Sequence, residues 1–374
     1  MTGGGARAAY QVGVLRALSD LLPLKAPCPF PIICGTSAGA VNAAVLAADA
    51  HSFRRGVRRL MTVWKNIHVH HVYRADPVGA LGNSARWIAS IFTGGAQGAR
   101  PVSLLDSTPL ESLLGRYLDL TAIQRNIDAG HLTAFSVTCS GYSSGQSVTF
   151  YQAREGQENW QRARRVGVAM PITREHLIAS SALPFIFRPV HINREYFGDG
   201  SMRQIAPVSP ALHLGADKLL VIGIGRQLAP EGERPLAEGH PSLAQIAGHA
   251  LNSIFLDSLE VDLERLQRIN RTLEIIPREI LDSTRYPLKR VDFRVVRPSV
   301  DLEKIAAAHA HELPRTIRML LRTVGGLKRN ASTLLSYLLF ERGYARALIR
   351  LGYDDTMSRR EELVAFLADT QPAS

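Results

Sequence analysis

Three cysteines in 374 residues, Cys28, Cys34 and Cys139, are too few and too scattered for a disulfide framework or a zinc site. Cys28 and Cys34 flank an apolar run, which marks them as core thiols of a reducing compartment. Long apolar runs are missing too. The stretch from Trp87 to Phe92 soon meets Thr93-Gly94-Gly95, well short of the roughly 20 residues that cross a bilayer. The start lacks the charged segment and apolar run of a signal peptide, because glycines begin at Gly3. The expected location is therefore the cytoplasm. Acidic residues are in deficit: 33 Asp and Glu face 44 Lys and Arg, a formal charge of +11, which favours anionic partners such as nucleic acid or acidic lipid headgroups. The arginines are dispersed, as in Arg54, Arg55, Arg58 and Arg59, without zinc-finger spacing or an aromatic-basic ribonucleoprotein signature. No nucleic-acid partner is expected, and the basic residues read first as solvated helix faces.

What is present suits a folded protein of one large domain or two smaller ones, with 46% hydrophobic and 21% charged residues. Gly3-Gly4-Gly5 feeds a segment in which Val12, Leu15, Leu18 and Leu22 recur at helical spacing. Glycine turns of this kind normally follow a strand, so a first strand is expected to be missing ahead of Thr2. Phe30 to Cys34 reads as a strand, followed by Gly35-Thr36-Ser37-Ala38-Gly39 and a small-residue helix from Ala40 to Ala48. Residues 51–130 read as mostly helical and polar, broken by Asp76-Pro77 and by Gly94 to Gly98, a candidate lid or loop. Strands are expected at Leu132 to Cys139, Ser147 to Tyr151 and Leu219 to Ile224, and more weakly at Thr272 to Ile276 and Phe293 to Val296. Helical patterns cover much of 241–270 and nearly all of 301–367. Helices alternating with apolar strands point to a layered α/β fold.

The chemistry lies in three places. Gly35-Thr36-Ser37-Ala38-Gly39 fits G-x-S-x-G, a tight strand-to-helix turn that holds its serine exposed in a strained conformation. Gly35 and Gly39 sit where side chains would collide as strand and helix close. The helix start adds a positive dipole and free N–H groups. The alternative reading is a glycine-rich turn with an idle serine. Gly3, Gly4, Gly5 and Ala6-Arg7 offer consecutive unobstructed N–H groups, as an anion cradle or oxyanion hole requires. A dinucleotide fingerprint would also need an acidic residue about 20 positions on, and Asp20 comes too soon. Gly198-Asp199-Gly200 alone is a common turn; with the other two it makes a constellation.

In these residues the sequence resembles the patatin-like phospholipases, whose marks are a G-G-G-x-R/K-G loop, a G-x-S-x-G elbow and a D-G-G/A motif. The matching segments are Gly3 to Ala8, Gly35 to Gly39, and Asp199-Gly200-Ser201, in the same order and spacing. Ala179-Ser180-Ser181-Ala182-Leu183-Pro184 also looks like the family's A-S-x-A-x-P segment. Ala8 and Ser201 depart from the pattern, and both are small. The resemblance covers about residues 1–225. It implies a three-layer α/β/α fold with a central, mostly parallel sheet, and a Ser-Asp dyad cleaving lipid acyl esters, with neither cofactor nor metal. By the same resemblance Ser37 attacks the carbonyl, Asp199 takes its proton, and the amides of Gly3, Gly4 and Gly5 hold the oxyanion. Arg7 either fixes the loop or meets a phosphate, or it forms only a surface ion pair. A catalytic core is expected over 1–225, its continuation over 226–300 and a helical C-terminal region over 301–374.

Two rivals share some of these features. An α/β-hydrolase with a Ser-His-Asp triad has the elbow, but places several strands before its nucleophile, and Ser37 follows one helix and at most one strand. His68, His70 and His71 invite a triad or metal reading, although such a cluster more often lies in a loop or strand. A basic adaptor on a decayed hydrolase fold, touching anionic membranes without catalysis, would need the pair Ser37 and Asp199 to be broken, and both are present.

Overall fold

The computed structural model describes residues 1–24, 26–74, 103–225, 240, 243–277, 289–323 and 332–368. Asp76-Pro77, Trp87 to Phe92 and the Gly94 to Gly98 loop lie outside the described residues.

The first half runs α1 (Ala9–Leu21), β1 (Ile32–Thr36), α2 (Ala38–Ala48), α3 (Phe53–Lys65), α4 (Val69–Val72), α5 (Thr108–Tyr117), α6 (Thr121–Asp128), β2 (Ala134–Gly141) and β3 (Ser147–Ala153). It continues with β4 (Trp160–Arg162), β5 (Arg165–Ala169), α7 (Arg174–Ser180), β6 (Val190–Ile192), β7 (Glu195–Asp199), α8 (Ser209–His213) and β8 (Lys218–Ile222). Beyond these come α9 (Leu243–Asn252), α10 (Ser258–Ile275), β9 (Asp292–Val296), α11 (Leu302–Ala308), α12 (Arg315–Thr323), α13 (Ser332–Leu338), α14 (Arg342–Met357) and α15 (Arg360–Ala368).

The chain forms the expected α/β fold, with a central sheet, flanking helices and C-terminal helices. Around the elbow the pairing is parallel: β1 pairs with β2 in the main sheet, and β8 with β9 in a separate two-stranded sheet. Met1 and Thr2 run between these two pairs, since Met1 donates to Cys34 O, Thr36 N–H donates to Met1 O and Thr2 N–H donates to Ile222 O. Away from the elbow the sheet departs from the parallel expectation. β2 is antiparallel to both β3 and β7, and the hairpins β4–β5 and β6–β7 are antiparallel, while β3 and β5 are parallel. Helices lie between the partners of β1–β2 and β8–β9, whereas the parallel pair β3–β5 is connected through β4, and short turns join β2–β3, β4–β5 and β6–β7. Two of those turns need left-handed backbone at Arg164 (φ 57°) and Asn193 (φ 54°), as two-residue hairpin connections do.

Local sequence explains the helices that frame the elbow. α2 is built almost wholly of Ala, Gly and Val and is buried nearly all round, as a helix inside a layered core must be. α3 is amphipathic: Phe53, Gly56, Val57, Leu60, Met61 and Trp64 face inward, while arginines keep to its outer side, where Arg55 and Arg59 pair with Asp49. The basic cluster of residues 54–59 is thus a helix face, as its spacing suggested. The expected strand at Thr272 to Ile276 is instead the end of α10, whose Leu259, Leu263, Leu266 and Leu273 are buried at helical spacing. That burial overrides the β-propensity of Thr272, Ile275 and Ile276.

The C-terminal helices share the core of the N-terminal half. α1 crosses α14 at two glycines, where a Cβ on Gly13 would lie 2.0 Å from the Ile349 carbonyl oxygen and one on Gly352 would lie 2.2 Å from that of Tyr10. Val12, Leu15 and Leu18 of α1 belong to the same apolar cluster as Leu348, Ile349, Leu363 and Phe366.

Candidate active site

Ser37 occupies the sharp turn between β1 and α2 with φ 55° and ψ −136°, a conformation that costs a non-glycine residue on the order of 1–3 kcal/mol. Only small neighbours permit the turn. A Cβ on Gly35 would fall 2.5 Å from Ala40 Cα, and one on Gly39 would fall 2.4 Å from the Thr2 carbonyl oxygen. The Thr2 carbonyl is held in turn by Gln11 Nε2, whose Oε1 accepts from Asn42 Nδ2 of α2. Strand, helix and N-terminal segment are locked together around the serine.

Asp199 ends β7, opposite Cys139 of β2. Its N–H donates to the Ala182 carbonyl at 2.9 Å, which fixes the strand end against the turn after α7. Gly200 then bends the chain past β2 so closely that a Cβ would sit 2.1 Å from the Thr138 carbonyl oxygen. The two side chains meet: Ser37 Oγ donates to Asp199 Oδ2 at 2.6 Å, while Asp199 Oδ1 accepts the Ser201 N–H at 2.9 Å. Ser37 is 2% exposed and Asp199 fully buried. Burial pushes the Asp199 carboxyl up to about 6, against the hydrogen bonds from Ser37 and Ser201 that favour its ionised form. A carboxyl with that value is ionised at neutral pH and still basic enough to accept a proton.

Gly3 lies directly over the serine, since a Cβ there would be 2.8 Å from Ser37 Cβ and 2.7 Å from Ser201 Oγ. Gly4 (φ 157°) and Gly5 (φ 54°) continue the loop through conformations open to glycine, and all three residues are buried. Their N–H groups find no acceptor among the described residues. The Ser37 N–H, in contrast, is taken by Ser180 Oγ at 2.8 Å, and that hydroxyl donates onward to Thr138 O. Buried donors without partners are uncommon in folded proteins and stand out beside a nucleophilic oxygen.

The structure brings together Gly3, Gly4, Gly5, Gly35, Ser37, Gly39 and Asp199. Arg7 is buried, and its guanidinium meets Asn252, Glu303 and Ser336. His68, His70 and His71 are elsewhere, on α4 and its cap, with His68 Nδ1 2.6 Å from Glu341 Oε2. Among the described residues no histidine bonds Ser37 Oγ or Asp199, and no cluster of His, Cys, Asp and Glu could hold a metal ion. Ser180 as holder of the Ser37 amide has no signature of its own; the A-S-x-A-x-P segment places it but does not state its task. A cavity of about 480 Å³ runs between β1 and β8 and is lined by residues such as Ile32, Cys34 and Leu220; neither Ser37 nor Asp199 borders it.

The family model for patatin-like phospholipases matches residues 1–212. No curated protein matches the chain. Among solved structures, VipD from Legionella pneumophila is similar at 13% identity with a TM-score of 0.33, over 96% of this chain and 66% of that one, so the chain spans just under two thirds of the length of VipD.

Proposed function

The chain belongs to the patatin-like phospholipases, and from that premise we propose that it cleaves fatty acyl esters of lipids with Ser37 as nucleophile and Asp199 as its only base. The observation that carries this reading is the 2.6 Å hydrogen bond from Ser37 Oγ to a buried Asp199 carboxylate that, among the described residues, no histidine hydrogen-bonds. In the first step Ser37 Oγ bonds to the ester carbonyl carbon and its proton passes to Asp199 Oδ2. The oxyanion accepts hydrogen bonds from the amides of Gly3, Gly4 and Gly5, donors of the kind that steady charge as it develops. Collapse breaks the ester bond, and the leaving alcohol takes the proton from Asp199. Water then attacks the acyl-serine, giving its proton to Asp199, which returns it to Ser37 as the fatty acid departs. The test is incubation of the pure protein with a mixed lipid extract, with released fatty acids read by mass; an extract left unchanged would refute the reading.

The substrate sits in a bilayer, so we place the enzyme in the cytoplasm at an anionic membrane surface. Two features support this: the charge of +11, and the apolar side chains beside the site. Phe185, 75% exposed at φ 67°, follows the turn that holds Asp199, and Ile205, 56% exposed, follows Gln204, which accepts from Thr36 Oγ1. Sedimentation with vesicles is expected to show stronger binding to acidic than to neutral lipid, weakened by salt. Equal binding to both, unaffected by salt, would reduce the charge to a solubility feature.

A further inference from the structure

Part of what holds the Gly3 to Gly5 loop in place comes from beyond the matched region 1–212. Two residues past the loop, Arg7 is only 2% exposed and donates from Nε to Ser336 Oγ at 2.8 Å, from Nη1 to Asn252 Oδ1 at 3.3 Å and from Nη2 to Glu303 Oε1 at 3.2 Å. The acceptors are themselves tied together. Asn252 Nδ2 donates to the same Glu303 oxygen, Tyr337 OH donates to Asn252 Oδ1, and Ser336 Oγ donates to the Thr333 carbonyl. The guanidinium also lies 4.1 Å from the centre of the Tyr337 ring. Asn252 ends α9, Glu303 opens α11, and Ser336 and Tyr337 belong to α13, so three C-terminal helices converge on one side chain. The loop backbone is pressed on the same wall: a Cβ on Gly5 would lie 2.3 Å from the Tyr337 carbonyl oxygen.

A buried arginine is costly unless its donors are met, and a planar guanidinium meets them in one orientation. We propose that Glu303, Asn252 and Ser336 are positioning residues of the active site, fixing the oxyanion loop through Arg7. The C-terminal helices complete the active site by this route. The proposal rests on the Ser37 and Asp199 reading for its catalytic consequence, whereas its structural content is independent of that reading.

Glu303→Gln keeps the shape and removes the charge. With folding verified by circular dichroism, kcat on a soluble short-chain ester is expected to fall by about 10 to 100-fold, as small misplacements of catalytic groups do, with KM nearly unchanged. Labelling by an organophosphonate slows in step, and amide hydrogen exchange across residues 2–9 quickens. Arg7→Gln combined with Glu303→Gln is expected to be no worse than Arg7→Gln alone, because both act through one contact. If Glu303→Gln does not fold, Ser336→Ala removes another acceptor of the same guanidinium and carries the same readouts. A folded variant with parental kcat and parental exchange over residues 2–9 overturns the proposal, as does a loss confined to KM or a double variant whose losses multiply. A parent protein that neither hydrolyses nor labels sinks the Ser37 reading instead, and exchange over residues 2–9 alone then decides the clamp.

Discussion

Ser37→Ala is expected to abolish release of fatty acid from lipid and to leave the fold intact. The alanine variant keeps the small volume the elbow requires, and the lost hydroxyl removes one hydrogen bond to Asp199 without opening the core. Two other hydroxyls lie close by: that of Ser180 is committed to the Ser37 N–H and the Thr138 carbonyl, and Ser201 Oγ lies beside Gly3 on the same side as Ser37. Removing the nucleophile of a serine hydrolase costs on the order of 10⁴ to 10⁶ in rate. Alanine at φ 55° keeps the backbone strain without its catalytic use, so stability should be lowered little or not at all. An organophosphonate probe is expected to label the parent and not the variant. Labelling that persists in folded Ser37→Ala would move the nucleophile to another residue.

The site was legible in the sequence where its demands are local. Gly35, Gly39 and Gly200 are required by backbone approaches under 3 Å, and such demands leave glycine at fixed offsets that a reader can find. The Gly3 to Gly5 loop is legible for the same reason, as three successive glycines that pass a serine, an isoleucine and a carbonyl at close range. Legibility ended where partners are remote. Arg7 meets residues 245, 296 and 329 positions away, and nothing in the spacing of Asn252, Glu303 or Ser336 ties them to a loop at the N-terminus. The antiparallel part of the sheet was hidden differently. β4 and β6 are three residues each, and their turns use Arg164 and Asn193 in left-handed backbone without the Asn-Gly or Asp-Gly signal that marks most such hairpins. Thr272 to Ile276 carried a true strand signal in its residue types, and the leucine spacing that makes it the end of a helix becomes visible only over the longer span from Leu259.

Asp199→Asn, taken together with replacement of each histidine, separates the dyad from a mechanism that uses a histidine. Asparagine keeps the shape, can still bond Ser37 Oγ and accept from Ser201, and cannot take a proton, so the rate is expected to fall by roughly the 10² to 10⁴ of lost general-base help. The pH profile of the parent carries the same signature. Because burial raises the carboxyl to about 6, Asp199 holds a proton below that pH and cannot accept another. kcat/KM should therefore fall about tenfold per pH unit below about 6, and the residual activity of Asp199→Asn should lack that limb. Stability moves the other way. A carboxyl whose value is higher folded than unfolded favours the folded state most when protonated, so its contribution is full below about 4 and is lost as pH rises through about 6. At neutral pH the buried charge costs roughly 3 kcal/mol by that difference, and the neutral asparagine avoids it. Asp199→Asn should thus melt no lower than the parent at pH 7 while being nearly inactive, a pairing that a merely structural aspartate would not give. Single replacement of each of the 12 histidines completes the test on one short-chain ester, with folding checked by circular dichroism. Most should retain near-parental rates, and a single folded histidine variant as inactive as Ser37→Ala would overturn the dyad in favour of a triad.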